Sequence, residues 1–140
     1  MAARDKTSDE IDKDIIEEED RVSNLPVEGY PVRVYNVMKT FDAGVTKAIK
    51  NISFGLDYGE CFALLGVSGA GKSTLFKCMT GEIFPSAGEL SLCGFDVTDP
   101  SGFKQARKHL GYCPQFDCIF EGLTVMEHMV VYSSIKGIKK

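Results

Sequence analysis

Gly66-Val67-Ser68-Gly69-Ala70-Gly71-Lys72-Ser73, with Thr74 behind it, sets three glycines, a lysine and a hydroxyl at the spacing G-x-x-x-x-G-K-[ST]. Each residue type answers a requirement of triphosphate binding. Glycines at 66, 69 and 71 let the backbone turn through positive φ and approach phosphate oxygens with no Cβ between, so that successive N–H groups point inward. Lys72 is placed to reach the β- and γ-phosphates as a compact point charge, and the Ser73 hydroxyl to ligate Mg²⁺. The four fixed positions arise by accident in under about 1% of chains of this length.

Such a loop works only between a strand and a helix. Before it, Cys61-Phe62-Ala63-Leu64-Leu65 is a short apolar run that reads as a buried parallel strand. After it, Lys72-Ser73-Thr74-Leu75-Phe76-Lys77-Cys78-Met79-Thr80 reads as a helix stopped by Gly81. Phosphates would then sit on a helix N-terminus, where free N–H groups and the positive dipole end favour negative charge.

With 140 residues the chain has room for one domain, and its formal charge of −4 argues against nucleic acid as an electrostatic partner. Its apolar runs fall far short of the roughly 20 residues of a membrane-spanning helix, and Met1-Ala2-Ala3-Arg4-Asp5-Lys6 lacks the apolar region of a secretory signal. The five cysteines are odd in number, lack C-x-x-C spacing and lie mostly within apolar runs. They read as reduced, buried thiols rather than a disulfide frame or zinc site.

In chain order, residues 1–30 form an acidic leader, partly helical or disordered. Thr7-x-x-Glu10 resembles a capping box and Ile11, Ile15 and Val22 recur on one helical face, but the run of Asp and Glu favours a solvated leader over a helix. From Pro31 the pattern turns to β: 32–37 alternates as a half-buried strand, and 46–54 offers a second run after the Asp42-Ala43-Gly44 turn. A small antiparallel sheet beside the nucleotide core is the simplest arrangement. Beyond the loop helix, Pro85-Ser86-Ala87-Gly88 is a turn and 89–94 a strand. Asp99-Pro100-Ser101 starts a helix through Phe103, Ala106 and Leu110, with Lys104, Arg107 and Lys108 on its wet side. Gly111-Tyr112-Cys113-Pro114-Gln115 reads as a short buried strand ending at proline, which leaves Gln115 at the carboxyl end where open α/β sheets bind ligands. The last helix, 123–136, carries Val125, Met129 and Tyr132 at core spacing, with His128 on its surface.

Taken together, Phe41, the loop 66–73, Pro85-x-x-Gly88 and Gly111-Tyr112-Cys113-Pro114-Gln115 resemble, in order and spacing, the nucleotide-binding domain of ABC transporters. The fuller strings 59–66, 111–117 and Leu123-Thr124-x-x-Glu127-His128 are most similar to subfamily A, in particular its second such domain. The resemblance covers about residues 32–140, and the leader is similar to the linker that follows the transmembrane region there. It implies an α/β fold: a P-loop NTPase core, here a partial parallel sheet with helices, plus a small antiparallel β subdomain across residues 31–140. It implies ATP and Mg²⁺ as cofactors, with Phe41 stacking on adenine. Gln115 would sense Mg²⁺ and γ-phosphate, a metal and catalytic role shared with Ser73 and Lys72 respectively. Its implied partners are the transmembrane domains and a second nucleotide-binding domain, at the cytoplasmic face of a membrane, and the family's subfamily A members mostly export lipid.

The departures bear on catalysis. The sequence has no Leu-Ser-Gly-Gly-Gln-type signature, no four apolar residues ending in Asp-Glu as a Walker B strand does, and no switch histidine after one. In the family these groups hold Mg²⁺, polarise the attacking water and close over the γ-phosphate. Phosphoryl transfer rests on such positioning and electrostatics, so a chain without them is expected to be a fragment that binds nucleotide with little turnover. Two other readings stand beside this one. A small-molecule kinase would carry the loop near its N-terminus and follow it with an arginine-rich lid, whereas no Arg follows Arg107. A binding-only module would hold nucleotide without transport.

Overall fold

The computed structural model describes residues 13–138. Thr7, Glu10 and Ile11, on which a capping box and half an apolar stripe were expected, lie outside them. The elements are α1 (Lys13–Ser23), β1 (Val32–Phe41), β2 (Thr46–Leu56), α2 (Lys72–Met79), β3 (Ala87–Leu92), β4 (Phe95–Asp96), α3 (Pro100–Ala106) and α4 (Val125–Ile135). The strands form one sheet in the order β2-β1-β3-β4, antiparallel throughout. A 3-10 turn, Asp42–Gly44, joins β1 to β2 where the sequence placed it, with Thr46 Oγ1 donating to Asp42 Oδ2 at 3.1 Å.

β1 does not keep the simple alternation its sequence suggests. Val34 and Val37, three residues apart, are both fully buried, which a period of two forbids. A bulge resolves the conflict: the register shifts between Val34 and Val37, and Asn36 adopts φ 50. Ser53 Oγ receives the Asn36 N–H at 3.0 Å and donates to Asn36 Oδ1 at 3.2 Å, so the extra residue is held from the neighbouring strand. Both valines therefore reach the core, with Ile49, Phe54, Leu90, Leu92 and Val97 from the sheet side and Leu75, Cys78 and Ala106 from α2 and α3. Burying a side chain such as Leu75 contributes roughly 1.5–3 kcal/mol, and this cluster is what seats α2 against the sheet.

α3 starts as the sequence indicates, with Asp99 capping the N–H of Gly102 at 2.6 Å, but its helix ends at Ala106 and Leu110 lies beyond the turn that follows. Contrary to composition, the leader is helical from Lys13: α1 packs Val22 into the structure and ties Glu18 and Arg21 to β2.

Three local expectations are corrected. Residues 61–65 and 111–115 form no strand and join no ladder, because a central parallel strand exists only between hydrogen-bonded neighbours and none lies beside them among the described residues. Leu65 is accordingly 88% exposed. Val125, Met129 and Tyr132, expected in a core, are exposed on α4, which buries no residue among those described. Cys61, Cys113 and Cys118 are exposed for the same reason; Cys78 alone is buried, where desolvation raises its thiol pKa against the smaller lowering effect of Lys39.

Candidate phosphate-binding site

The loop 66–71 leaves the segment 61–65 and runs directly into α2. Gly71 is the pivot. It caps α2 in the left-handed region (φ 91, ψ 0), and no side chain caps the helix there. A Cβ at this position would lie 2.3 Å from the Ala48 carbonyl oxygen of β2, so only glycine lets the loop pass so close to the sheet. With no side-chain cap, the first-turn N–H groups of α2, from Lys72 to Thr74, face outward at the positive end of the helix dipole.

Lys72 bends back over the loop. Its ammonium donates to the carbonyls of Gly66 at 2.6 Å and Val67 at 2.8 Å, which places a positive charge across the mouth of the cradle. An arriving phosphate offers that ammonium a stronger, charged acceptor than a neutral carbonyl. Ser73 is exposed beside it and Thr74 half-buried.

These groups line an open cleft of about 980 Å³ that also includes Ala48, Leu64, Phe76, Lys77 and Glu82. Its far wall is the segment Tyr112-Cys113-Pro114-Gln115-Phe116. The structure thus brings Ser68, Gly69, Ala70, Gly71, Lys72, Ser73 and Thr74 together with Gln115, although the strand expected to carry Gln115 has no ladder. Gly66 and Val67 stand behind the cleft and act through their carbonyls. Phe41 is not on the cleft wall. It ends β1 opposite Thr46, 39% exposed, with the Lys39 ammonium 5.2 Å from its ring centroid. The hairpin nonetheless carries it close by, since Ala48 touches the loop two residues beyond Thr46.

Among the described residues no group of three or more His, Cys, Asp or Glu could hold a metal ion. The Ser73 hydroxyl and the Gln115 amide oxygen are neutral donors, and the carboxylate on the cleft, Glu82, is paired with Lys77 at 3.4 Å. That set suits an Mg²⁺ ion that arrives on phosphate oxygens rather than a resident one. Reading by sequence missed Ala48, Tyr112 and Phe116 as walls; the aromatic flanks of Pro114-Gln115 were the visible signal for the last two, and nothing in the sequence marked Ala48. His128, read as a surface residue, ties the preceding loop to α4: Nε2 accepts the Phe120 N–H at 2.9 Å.

An α/β chain with a glycine-rich loop entering a helix, a small antiparallel sheet beside it and a Gln lining the same cleft as the loop has the features of the ATP-binding cassette class. Comparison with known proteins specifies it. Residues 49–140 match the family described as ABC transporter, and this chain belongs to that family. The human glucosylceramide transporter ABCA12 is 41% identical over 136 residues, and ATP-binding cassette sub-family A member 7 of Rattus norvegicus is 37% identical over 130. Those alignments take in 95% and 92% of this chain but only 5% and 6% of the relatives' lengths. An ATP-binding subunit of an ABC transporter superposes with a TM-score of 0.66 at 28% identity, over 78% of this chain and 44% of that one. A dimeric ATP-binding cassette in a post-hydrolysis state, bound to ADP and Pi, gives 0.63 at 27% identity, over 75% and 47% respectively. The resemblance to an ABC-type ATPase of subfamily A therefore stands, and the antiparallel sheet is its β subdomain.

Proposed function

We propose that this chain supplies the phosphate cradle and the sensing glutamine of an ATP-driven lipid exporter's motor domain. The observation that carries the reading is the shared cleft of the uncapped α2 N-terminus, Lys72, Ser73 and Gln115. On binding, Lys72 exchanges the Gly66 and Val67 carbonyls for β- and γ-phosphate oxygens, and the N–H groups of 69–74 take the remaining charge. The Ser73 hydroxyl and the Gln115 amide oxygen, which line the same cleft, would hold an Mg²⁺ ion entering with the nucleotide, and that ion would neutralise phosphate charge. Phe41 stacks on the adenine with the ring face that Lys39 does not cover.

Residues outside this chain complete the catalytic site: a second cassette that closes over the γ-phosphate, and carboxylates that hold Mg²⁺ and polarise water. Transmembrane domains convert that closure into export of a lipid, with the cassette at the cytoplasmic face. No helix of the described residues is long and apolar enough to cross a membrane. Residues 31–140 act as the cassette portion and 1–30 as its linker.

The test is displacement of a fluorescent ATP analogue from the purified chain, with phosphate release followed in the same samples. Saturable binding displaced by ATP and tripolyphosphate, without phosphate release, supports the reading. Failure of either competitor to displace overturns the cradle, and sustained phosphate release overturns the division of labour with outside residues.

A further inference from the structure

α1 is held to the sheet in an unusual way. Its outward residues Ile15 and Ile16 are 59% and 45% exposed, and only Val22 is buried. The grip is polar and concentrated at one residue, Gly55, on the outer strand β2. Glu18 Oε1 accepts the Gly55 N–H at 3.0 Å, and Arg21 Nη2 donates to the Gly55 carbonyl at 2.7 Å. Arg21 and Glu18 are themselves joined by two hydrogen bonds of 2.7 and 2.8 Å. The pair therefore satisfies both backbone groups of one edge residue, as a further strand would. Gly55 has no Cβ to obstruct it: one would lie 2.8 Å from Leu25 Cδ1, just beyond the helix. At the helix C-terminus the buried Arg33 donates to the Val22 carbonyl at 3.3 Å while pairing with Glu89 at 2.7 Å.

β2 in turn touches the phosphate loop at both of its ends. Phe54, next to Gly55, stacks on Phe62 with ring centroids 4.9 Å apart and planes 12° apart, which fixes the segment that enters the loop. Ala48 seats its carbonyl against Gly71, which fixes the exit. The entering segment has no ladder of its own, so these two contacts, with Leu64 packed on the core and Leu75 and Cys78 seating α2, position the cradle. An isolated helix of this length is marginal in water, so α1 is folded while docked and melts when released.

We propose that α1 is a releasable clasp on β2 which, through Phe54–Phe62 and Ala48–Gly71, sets the rigidity of the phosphate loop and of α2. A pull or a competing contact on the leader would undo Glu18 and Arg21 first and loosen the loop behind them. The inference concerns the empty protein, and only its last readout rests on the nucleotide reading.

The experiment is amide hydrogen exchange on the full chain, wild type against the double variant Glu18→Gln/Arg21→Met. We expect α1 to exchange as a free peptide does and the α2 amides, including the Leu75 N–H bound to the Gly71 carbonyl, to exchange about fivefold faster or more, with β3 unchanged. Labelling of the buried Cys78 thiol should accelerate in parallel. Release of α1 with α2 and Cys78 as in wild type would overturn the proposal, as would an α1 that stays protected. If β3 also loses protection, Glu18→Gln alone decides by the same two outcomes. Where wild type binds Mg-ATP, the released variant should bind it more weakly by a similar factor; equal affinity would confine the clasp to dynamics and overturn its link to the cradle.

Discussion

In the sheet half of the molecule Val34, Val37, Leu90 and Leu92 are at most 3% exposed, whereas Val125, Met126 and Met129 of α4 are 62–79% exposed. Yet α4 is the better-capped helix: Thr124 Oγ1 and the Glu127 side chain form a reciprocal capping box. Local signals therefore suffice to make a helix, and only neighbours make a core. The same contrast divides the strands. β1 and β2 close on each other across a tight turn, while 61–65 and 111–115, expected from the sequence as buried strands, join no ladder among the described residues. The phosphate loop sits on this boundary, firmly held on the α2 side and lightly on the other.

The contrast can be broken or sharpened by substitution. Lys72→Ala has the largest expected effect, removing the cation from the cradle and with it measurable nucleotide binding, while leaving the melting temperature nearly unchanged. Gly71→Ala should damage both properties, because the added Cβ meets the Ala48 carbonyl at 2.3 Å; a stable variant with wild-type binding would show that the loop is not seated on β2. Across the boundary, Leu75→Ala should cost about 2–5 kcal/mol in denaturant unfolding, against a change within about 0.5 kcal/mol for Met126→Ala on α4. Equal costs would mean that α4 is packed in solution.

Phe41→Ala is expected to weaken ATP binding by about 1–3 kcal/mol and tripolyphosphate binding not at all. A loss shared by both ligands would remove the ring from the adenine.

The smallest effect expected is on pH. Hydrogen bonds from Arg21 first, and from the Gly55 N–H, hold the Glu18 carboxyl below its ordinary 4.5 against a partial opposing effect of burial. A carboxyl depressed in the folded state contributes stability above its unfolded pKa and loses it as pH falls through the folded value. NMR secondary shifts of Glu18 to Val22 should thus be helical at neutral pH and collapse on acidification below that range. Helical shifts that persist in acid would show that the ion pair does not hold α1.

Where the sequence was legible, a residue's neighbours along the chain decided its structure. The Asp42-Ala43-Gly44 turn, the Asp99 cap, the glycine spacing of the loop and the start of α2 depend on a few adjacent residues, and each appears in place. The misreadings all involve distant partners. Composition pointed to a solvated leader because Gly55, which receives Glu18 and Arg21, lies 34 residues beyond Arg21. The β1 alternation failed at Asn36 because Ser53 supports a bulge. The apolar periodicity of α4 and the apolar run 61–65 were read as core, and both are largely exposed, because periodicity and composition do not say what covers a side chain. Of the cleft residues, Lys72 and Ser73 were marked by type and spacing and Gln115 by the family resemblance, while Ala48, which contributes a backbone carbonyl, carries no side-chain signature.

The most direct test of the cradle is calorimetric titration of wild-type and Lys72→Ala chains with Mg-ATP under identical conditions. Saturable binding at one site in wild type, and none in Lys72→Ala of equal thermal stability, is the predicted result. Equal binding by both proteins would contradict it, because the nucleotide would then be held somewhere other than the loop that Lys72 spans.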